Sequence, residues 1–373
     1  MKRLLLLGGG HAHLQVLAAL AREPLPGVEV LLLTPWPRQM YSGMVPGLVA
    51  GRYRAEDCAI ALAPLAAAAG VRLIEGAAIG LDAGARRVQV AAAGTPCDEI
   101  AYDILSVDTG PVMERDAIPG ARAHALFVRP IEEFVQRLDA LWTRAADSRL
   151  EIAVVGGGAA GFELVLALRQ RLGYASAGER EARLSLVTGG PPPLAAYPPR
   201  VVRRGRVALA QRGIEVVEGA CIGIEAGILH LRDGGHLRCD LPLLAVGAAA
   251  PGWLAGSGLA LDAQGFIATG PSLQSLSHPE VFAAGDVASR PDAPHPRSGV
   301  YAVRAGPPLA LNLRRLAAGL PPASYRPQRR TLNLLSLADG SAIAVWGGWS
   351  AQGRWVWRWK DRIDRGFVAR YRV

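Results

Sequence analysis

The chain has only four cysteines, Cys58, Cys97, Cys221 and Cys239, and no two stand in C-x-x-C or C-x4-C spacing. That spacing excludes a cysteine-based zinc site and a redox-active dithiol of neighbouring residues, so no metal is expected. Reduced, structural thiols of a cytoplasmic protein fit the pattern. No uncharged apolar run reaches about 18 residues, so no transmembrane helix is expected. The leucines after Met1-Lys2-Arg3 stop at Gly8, short of the ~7–15 apolar residues of a signal-peptide core, and read as a first strand. Low-complexity tracts and long linkers are missing too. The formal charge of +9 comes without a nucleic-acid-binding motif, which argues against a nucleic-acid partner. Two readings of the charge stand side by side: an arginine-favouring genome, or attraction to anionic dinucleotides or an anionic membrane surface.

The chain is rich in glycine and apolar residues. Half of its 373 residues are hydrophobic and 44 are glycine, which suits a turn-rich α/β protein of two or three domains. One device occurs twice, 148 positions apart: Leu4-Leu5-Leu6-Leu7-Gly8-Gly9-Gly10-His11-Ala12-His13, and Ile152-Ala153-Val154-Val155-Gly156-Gly157-Gly158-Ala159-Ala160-Gly161. Each is an apolar strand, a glycine turn and a helical run. Such a turn presents backbone N–H groups and a helix N-terminus to a pyrophosphate. Two of them imply two dinucleotides held face to face, as a nicotinamide and a flavin require.

The periodicity predicts strand 4–7, helix 11–22 with apolar Leu14, Leu17, Ala18 and Ala21, and strand 28–33, a βαβ unit. A proline-marked loop follows, then an alanine-rich helix near 59–69, a strand at 71–74, an edge hairpin strand at 86–91 and a buried strand ending in Asp108-Thr109-Gly110. A second unit repeats the pattern: helix 131–145, strand 151–155, helix 159–172 and strand 183–187, then strand-like 214–217, 228–231 and 243–247. Near 252 the chain returns to the first unit. Val281-Phe282-Ala283-Ala284-Gly285-Asp286 reads as a buried strand ending in a carboxylate, and helix 308–318 is expected to start at Pro307-Pro308 and end at Gly319. The expected division is 1–114 with 252–324, then 115–251, then a C-terminal segment 325–373.

In the first loop His13 stands where a third small residue normally allows close helix–strand packing, so a looser contact or a ligand-facing histidine is expected. His11 and His13 are either simple helix-start polarity or catalytic. Thr34 ends the second strand, where Asp or Glu usually accepts from a ribose; its hydroxyl can bond the ribose without charge. Gly285-Asp286 is either an N-cap or, with the upstream loop, a carboxylate for a flavin's ribityl hydroxyls.

The order of these motifs resembles the FAD-dependent pyridine nucleotide-disulfide oxidoreductase superfamily. Gly8–His13, Tyr41-Ser42-Gly43-Met44-Val45-Pro46-Gly47, Pro296–Arg304 and Trp357–Asp364 resemble more narrowly its NADH dehydrogenase-like branch, found fused ahead of selenide, water dikinase. With no kinase domain following, a stand-alone member is implied. The resemblance implies two Rossmann-like domains, with FAD held near Gly8, Gly10, His11, Ala12, His13, Thr34, Asp108, Thr109, Gly110, Gly285 and Asp286. The loop 38–47, with Arg38, Ser42, Gly43 and Met44, would lie beside the isoalloxazine, and so would Ser298 and Val300. NADH or NADPH would dock on Gly156, Gly158 and Gly161. Glu163 and Tyr41 are the implied catalytic residues. Glu163 is otherwise a surface helix carboxylate, and 38–47 an ordinary turn. Disulfide-reducing members carry paired cysteines beside the flavin; this chain has none, so electrons would pass to an external acceptor.

The nicotinamide type stays open. Thr188-Gly189-Gly190 carries no acid, and Arg200, Arg203, Arg204 and Arg206 form either a solvated helix face or a 2′-phosphate site. The tail 354–373 holds seven basic residues against Asp361 and Asp364, and Trp355, Trp359, Ile363 and Phe367 recur every four positions. Such a helix either lies on a membrane or packs its tryptophans on the flavin domain. The expected protein is a cytoplasmic FAD enzyme, or one peripheral on the inner membrane. It would pass a hydride from NAD(P)H to flavin and electrons to a quinone. A reductase of selenium compounds and a non-enzymatic redox sensor are the alternatives, and a homodimer is left open.

Overall fold

Two parallel sheets divide the chain between them. The computed structural model describes residues 1–91, 98–147, 150–173 and 182–373; Cys97 falls outside these. In the first sheet β1 (Lys2–Leu7) leads into α1 (His11–Arg22), then β2 (Val28–Thr34), β3 (Arg72–Glu75) and β4 (Ile104–Val107). The order is β3-β2-β1-β4, all parallel, and a strand from far downstream closes the β4 edge. Buried on both faces, these strands read as unbroken apolar runs rather than alternations. Leu4 to Leu7 are fully buried and divide between two cores, one on each side of the sheet.

The second sheet repeats the scheme with β5 (Leu126–Phe127), α2 (Ile131–Asp147), β6 (Glu151–Val155), α3 (Ala159–Leu172), β7 (Arg183–Val187), α4 (Pro199–Ala210), β8 (Glu215–Val217) and β9 (Leu241–Leu244). Its order is β5-β9-β6-β7-β8. Beyond it, β10 (Val281–Ala283) joins the first sheet beside β4. Then come α5 (Gly299–Ala317), the antiparallel strands β11 (Leu332–Ser336), β12 (Ala342–Trp346) and β13 (Trp349–Gly353), and α6 (Arg354–Ala369).

Four expectations need correction. Strand Arg87–Ala91 is not an edge: it is flanked on both sides, by Ala77–Asp82 and Asp98–Ala101. Ala59–Ala61 is not helical, because it pairs with Arg38–Met40; the helix begins only at Leu62, tertiary pairing overriding alanine's propensity. Helix α5 starts at Gly299, so Pro307 and Pro308 lie inside it. Each proline forfeits a backbone bond, but close docking on α1 holds the helix there. A Cβ on Gly306 would come within 2.5 Å of Gln15 and 3.2 Å of the Ala12 carbonyl.

The fourth concerns α6. Trp355, Trp359 and Ile363 are 53%, 38% and 42% exposed, while Phe367 is buried. A spacing of four on a helix of 3.6 residues per turn drifts by about 40° per step, so the stripe winds from solvent into the protein. The buried face is instead Val356, Lys360, Asp364, Phe367 and Val368. Trp355 and Trp359 are not buried against the rest of the chain but stack on each other, 6.4 Å between rings.

Candidate functional site

A cavity of 370 Å³ opens at the carboxyl ends of the first sheet's strands and reaches to the second. This is the position at which open parallel sheets receive ligands. Of the residues expected to hold a dinucleotide, Gly8, Gly10, His11, Thr34, Ser42, Asp108, Thr109, Gly110 and Asp286 line it. Gly8 takes φ +88°, and a Cβ there would lie 2.6 Å from the Asp108 carbonyl, so the turn admits only glycine. Gly10 caps α1 in extended conformation without a side-chain bond of its own. The Asp108 carboxylate supplies the cap from β4, accepting the Ala12 N–H at 2.8 Å and the His13 N–H at 2.9 Å.

His13 is a correction. It is fully buried and does not line the cavity. Its Nδ1 lies 2.6 Å from the Gly8 carbonyl and its Nε2 2.8 Å from the Ser106 hydroxyl. A carbonyl only accepts, so Nδ1 carries the proton and Nε2 accepts from Ser106. Burial pushes this imidazole down to about 4, keeping it neutral. The residue in the third-glycine position therefore staples the glycine turn to β4. Ala12, Arg38, Tyr41, Gly43, Met44, Gly285, Ser298 and Val300 also stand off the cavity wall; Met44 is wholly buried in the core below it.

His11 does face the cavity. Its Nε2 is enclosed with no partner among the described residues, and burial, then Arg129, pushes the ring down to about 4. Arg129 went unnoticed in the sequence; it lies two residues past β5, lines the cavity and stands 3.8 Å from Asp286. Burial raises the Asp286 carboxyl, and Arg129 opposes the rise. An unpartnered imidazole nitrogen, the glycine turn leading into α1 and an arginine from the second half line the cavity together, a set suited to a phosphate-bearing, hydroxyl-bearing ligand.

The second glycine turn is built otherwise. A Cβ on Gly161 would meet the Gly156 carbonyl at 1.9 Å, which is close helix–strand packing, whereas Gly158 has open space around it. Thr188 Oγ1, just past β7, is buried without a partner among the described residues.

Between the two turns lies a cluster legible only in three dimensions. Glu163 on α3 accepts the Ser336 N–H at 2.6 Å. Its surroundings push its carboxyl up to about 7, burial first, with Lys360 opposing. Lys360 Nζ donates to the Gly43 carbonyl and to Asp364, both at 2.7 Å. The Tyr41 hydroxyl bonds Asp364, and the Tyr41 ring stacks on Phe367 at 4.5 Å and meets His11 at 5.5 Å. Burial raises Asp364, with Lys360 and Tyr41 opposing. Helix α6 thus anchors the 41–44 loop, and Lys360 is close enough to Glu163 to oppose its rise. Lys360 and Asp364 were missed because an i,i+4 Lys–Asp pair usually marks a solvated face.

The family model for pyridine nucleotide-disulphide oxidoreductases matches residues 2–306. The chain belongs to that family. It is accordingly an oxidoreductase of the type that uses FAD and NAD(P)H, which sets aside the sensor alternative. A demethylphylloquinone reductase, NdbB, of Synechocystis sp. is 25% identical over 301 residues, 78% of this chain and 73% of that protein. Among solved structures, NDH2 from Plasmodium falciparum in complex with NADH superposes with a TM-score of 0.84 at 12% identity, covering 98% of this chain and 97% of that one. The sulfide:quinone oxidoreductase of Aquifex aeolicus gives 0.81 at 18% identity, covering 100% and 92%. These structures share the fold of two dinucleotide-binding halves.

Proposed function

We propose that this family member is an FAD-dependent NAD(P)H:quinone reductase working at a membrane surface. The observation that carries the reading is the Glu163–Lys360–Asp364–Tyr41 cluster, its Lys360 and Asp364 buried, beside a cavity with no cysteine among the described residues of its lining. FAD would be held by 1–114 with 252–324 and NAD(P)H by 115–251, on Gly156, Gly158 and Gly161. When bound, the two cofactors supply hydride transfer and delivery of an electron pair.

The chain's own part is proton supply and acceptor choice. Cys58 and Cys239 are buried with thiols pushed up to about 12, burial being the main cause, and burial raises Cys221 as well, so none of the described cysteines is an activated nucleophile. An external acceptor then takes the electrons. A quinone takes two electrons and two protons, and the donor's hydride accounts for both electrons and one proton. The second proton comes from solvent through the protein. Glu163, near 7, binds and releases one in the working range, while Lys360 fixes the Gly43 carbonyl and Asp364 holds the Tyr41 hydroxyl. The Synechocystis relative, by its name a quinone reductase, supports this reading.

Glu163→Gln is expected to lower quinone reduction about 100-fold, within the usual range for lost acid–base catalysis. In the wild type the rate should fall as pH rises through about 7 and Glu163 loses its proton. The variant should lose that inflection. Steady-state rates with ubiquinone and menaquinone analogues, with selenium compounds in parallel, provide the check. An unchanged pH profile sinks the role of Glu163; faster turnover of a selenium compound sinks the quinone reading.

The exposed Trp355, Trp359 and Ile363 lie on α6 among exposed Arg354, Arg358 and Arg362. No helix among the described residues is long and apolar enough to cross a membrane. An apolar stripe bordered by arginines suits the interface of an anionic bilayer. Trp355→Ala combined with Trp359→Ala should abolish flotation with anionic liposomes while leaving the melting temperature nearly unchanged; undiminished flotation rules out this anchor.

A further inference from the structure

Asp108 occupies an unusual place for a carboxylate. It follows β4 directly, is 3% exposed, lines the cavity and holds two N–H groups of the first turn of α1. That helix end is where a dinucleotide's pyrophosphate is normally received. Two glycines make room for the carboxyl itself. A Cβ on Gly10 would lie 2.4 Å from its Cγ, and one on Gly285 2.6 Å from its Oδ1. The carboxyl group is thus built into the cradle from both the α1 and the Gly285 sides.

We propose that Asp108 is neutral whenever the pyrophosphate of FAD is bound, so that the cofactor enters together with a proton; this rests on the reading of the cavity as the FAD site. Two phosphate charges and a carboxylate would otherwise share one enclosed helix start, and like charges in such a site do not all stay ionised. The surrounding groups offer no compensation. From α1, His11 and His13 are both neutral, each pushed down to about 4 by burial. From the 285–287 turn, Asp286 adds repulsion. From the turn after β5, Arg129 is engaged with Asp286. Among the described residues no cation pairs with Asp108. Before the cofactor arrives, burial pushes the Asp108 carboxyl up to about 8, Asp286 adds to the rise, and the two backbone N–H groups oppose it.

The sign follows. The bound pyrophosphate holds the proton on Asp108 to higher pH than the empty site does. Below about pH 8 both forms are protonated and affinity is level. Above it, each pH unit weakens FAD binding by up to about tenfold until the bound form also titrates.

The test removes FAD from the full-length protein and measures rebinding by flavin fluorescence between pH 6.5 and 9.5. Proton uptake is followed in weakly buffered solution. For the wild type we expect level affinity to about pH 8, a steep rise in the dissociation constant above it, and uptake approaching one proton at pH 9. Asp108→Asn, whose amide oxygen still accepts from Ala12 and His13, should bind FAD with little dependence on pH. Proton uptake on the wild type needs no variant, so it decides even where Asp108→Asn folds poorly. FAD binding with neither uptake nor a pH slope overturns this inference alone. No FAD binding at any pH overturns the reading of the cavity as well.

Discussion

Lys360→Met is expected to remove about 3–5 kcal/mol of folding stability, the usual cost of stripping one partner from a buried ion pair. Both side chains are nearly inaccessible, 11% for Lys360 and 6% for Asp364. Methionine fills the lysine's volume but leaves Asp364 with only the Tyr41 hydroxyl and the Gly43 carbonyl without its donor. Lys360→Met with Asp364→Leu removes both charges together. It should recover most of the loss, because a buried pair replaced by apolar residues is often close to neutral. Urea unfolding of the wild type, both single variants and the double gives the coupling directly. A double variant as unstable as the sum of the singles would mean that the two groups act independently. The same variants should slow quinone reduction, since the 41–44 loop loses its anchor to α6.

Gly161→Ala should be nearly as damaging, by a route without charge. The new methyl would sit 1.9 Å from the Gly156 carbonyl, a backbone atom held in turn by the Gly156 N–H bond to Val187. Neither can give way without moving α3 off the second sheet, and we expect a loss of about 3 kcal/mol or slightly more, the upper end for overpacking. Gly158→Ala is the informative partner. Nothing lies within 4 Å of its missing Cβ, so stability should hold, while NAD(P)H binding weakens where the methyl meets the ligand. Melting temperatures and NADH titrations of both variants separate the two glycines. Equal destabilisation by both would refute the assignment of one to packing and the other to the ligand.

The parallel strands and both glycine turns were legible in the sequence because β1 and β6 are buried on both faces and so read as plain apolar runs before glycine. Asp108 and Asp286 were legible as candidate site residues, and both line the cavity. That Asp108 caps α1 was not, because Ala12 and His13 are more than ninety positions away in sequence. His13 misled for a related reason: the motif expects a small residue there, and only the fold shows the Ser106 hydroxyl that accommodates an imidazole. The hydrophobic pattern of α6 misled most. Large apolar residues every four positions look like a core stripe, yet the buried charges Lys360 and Asp364 lie on the inner face, which no hydrophobicity pattern can indicate. Pro307-Pro308 signalled a helix start by local rules, and the docking of Gly306 against α1 overrode them.

The first sheet is left unfinished for most of the chain's length. Its β10 edge strand is supplied only after every strand of the second sheet, residues 126–244, has been laid down. A nascent polypeptide leaving a ribosome therefore has a complete second sheet while the first still shows the open side of β4 to water. Pairings across so long a span form slowly, and an uncovered apolar strand invites wrong partners. During synthesis the half that opens the sequence is the later one to be sealed.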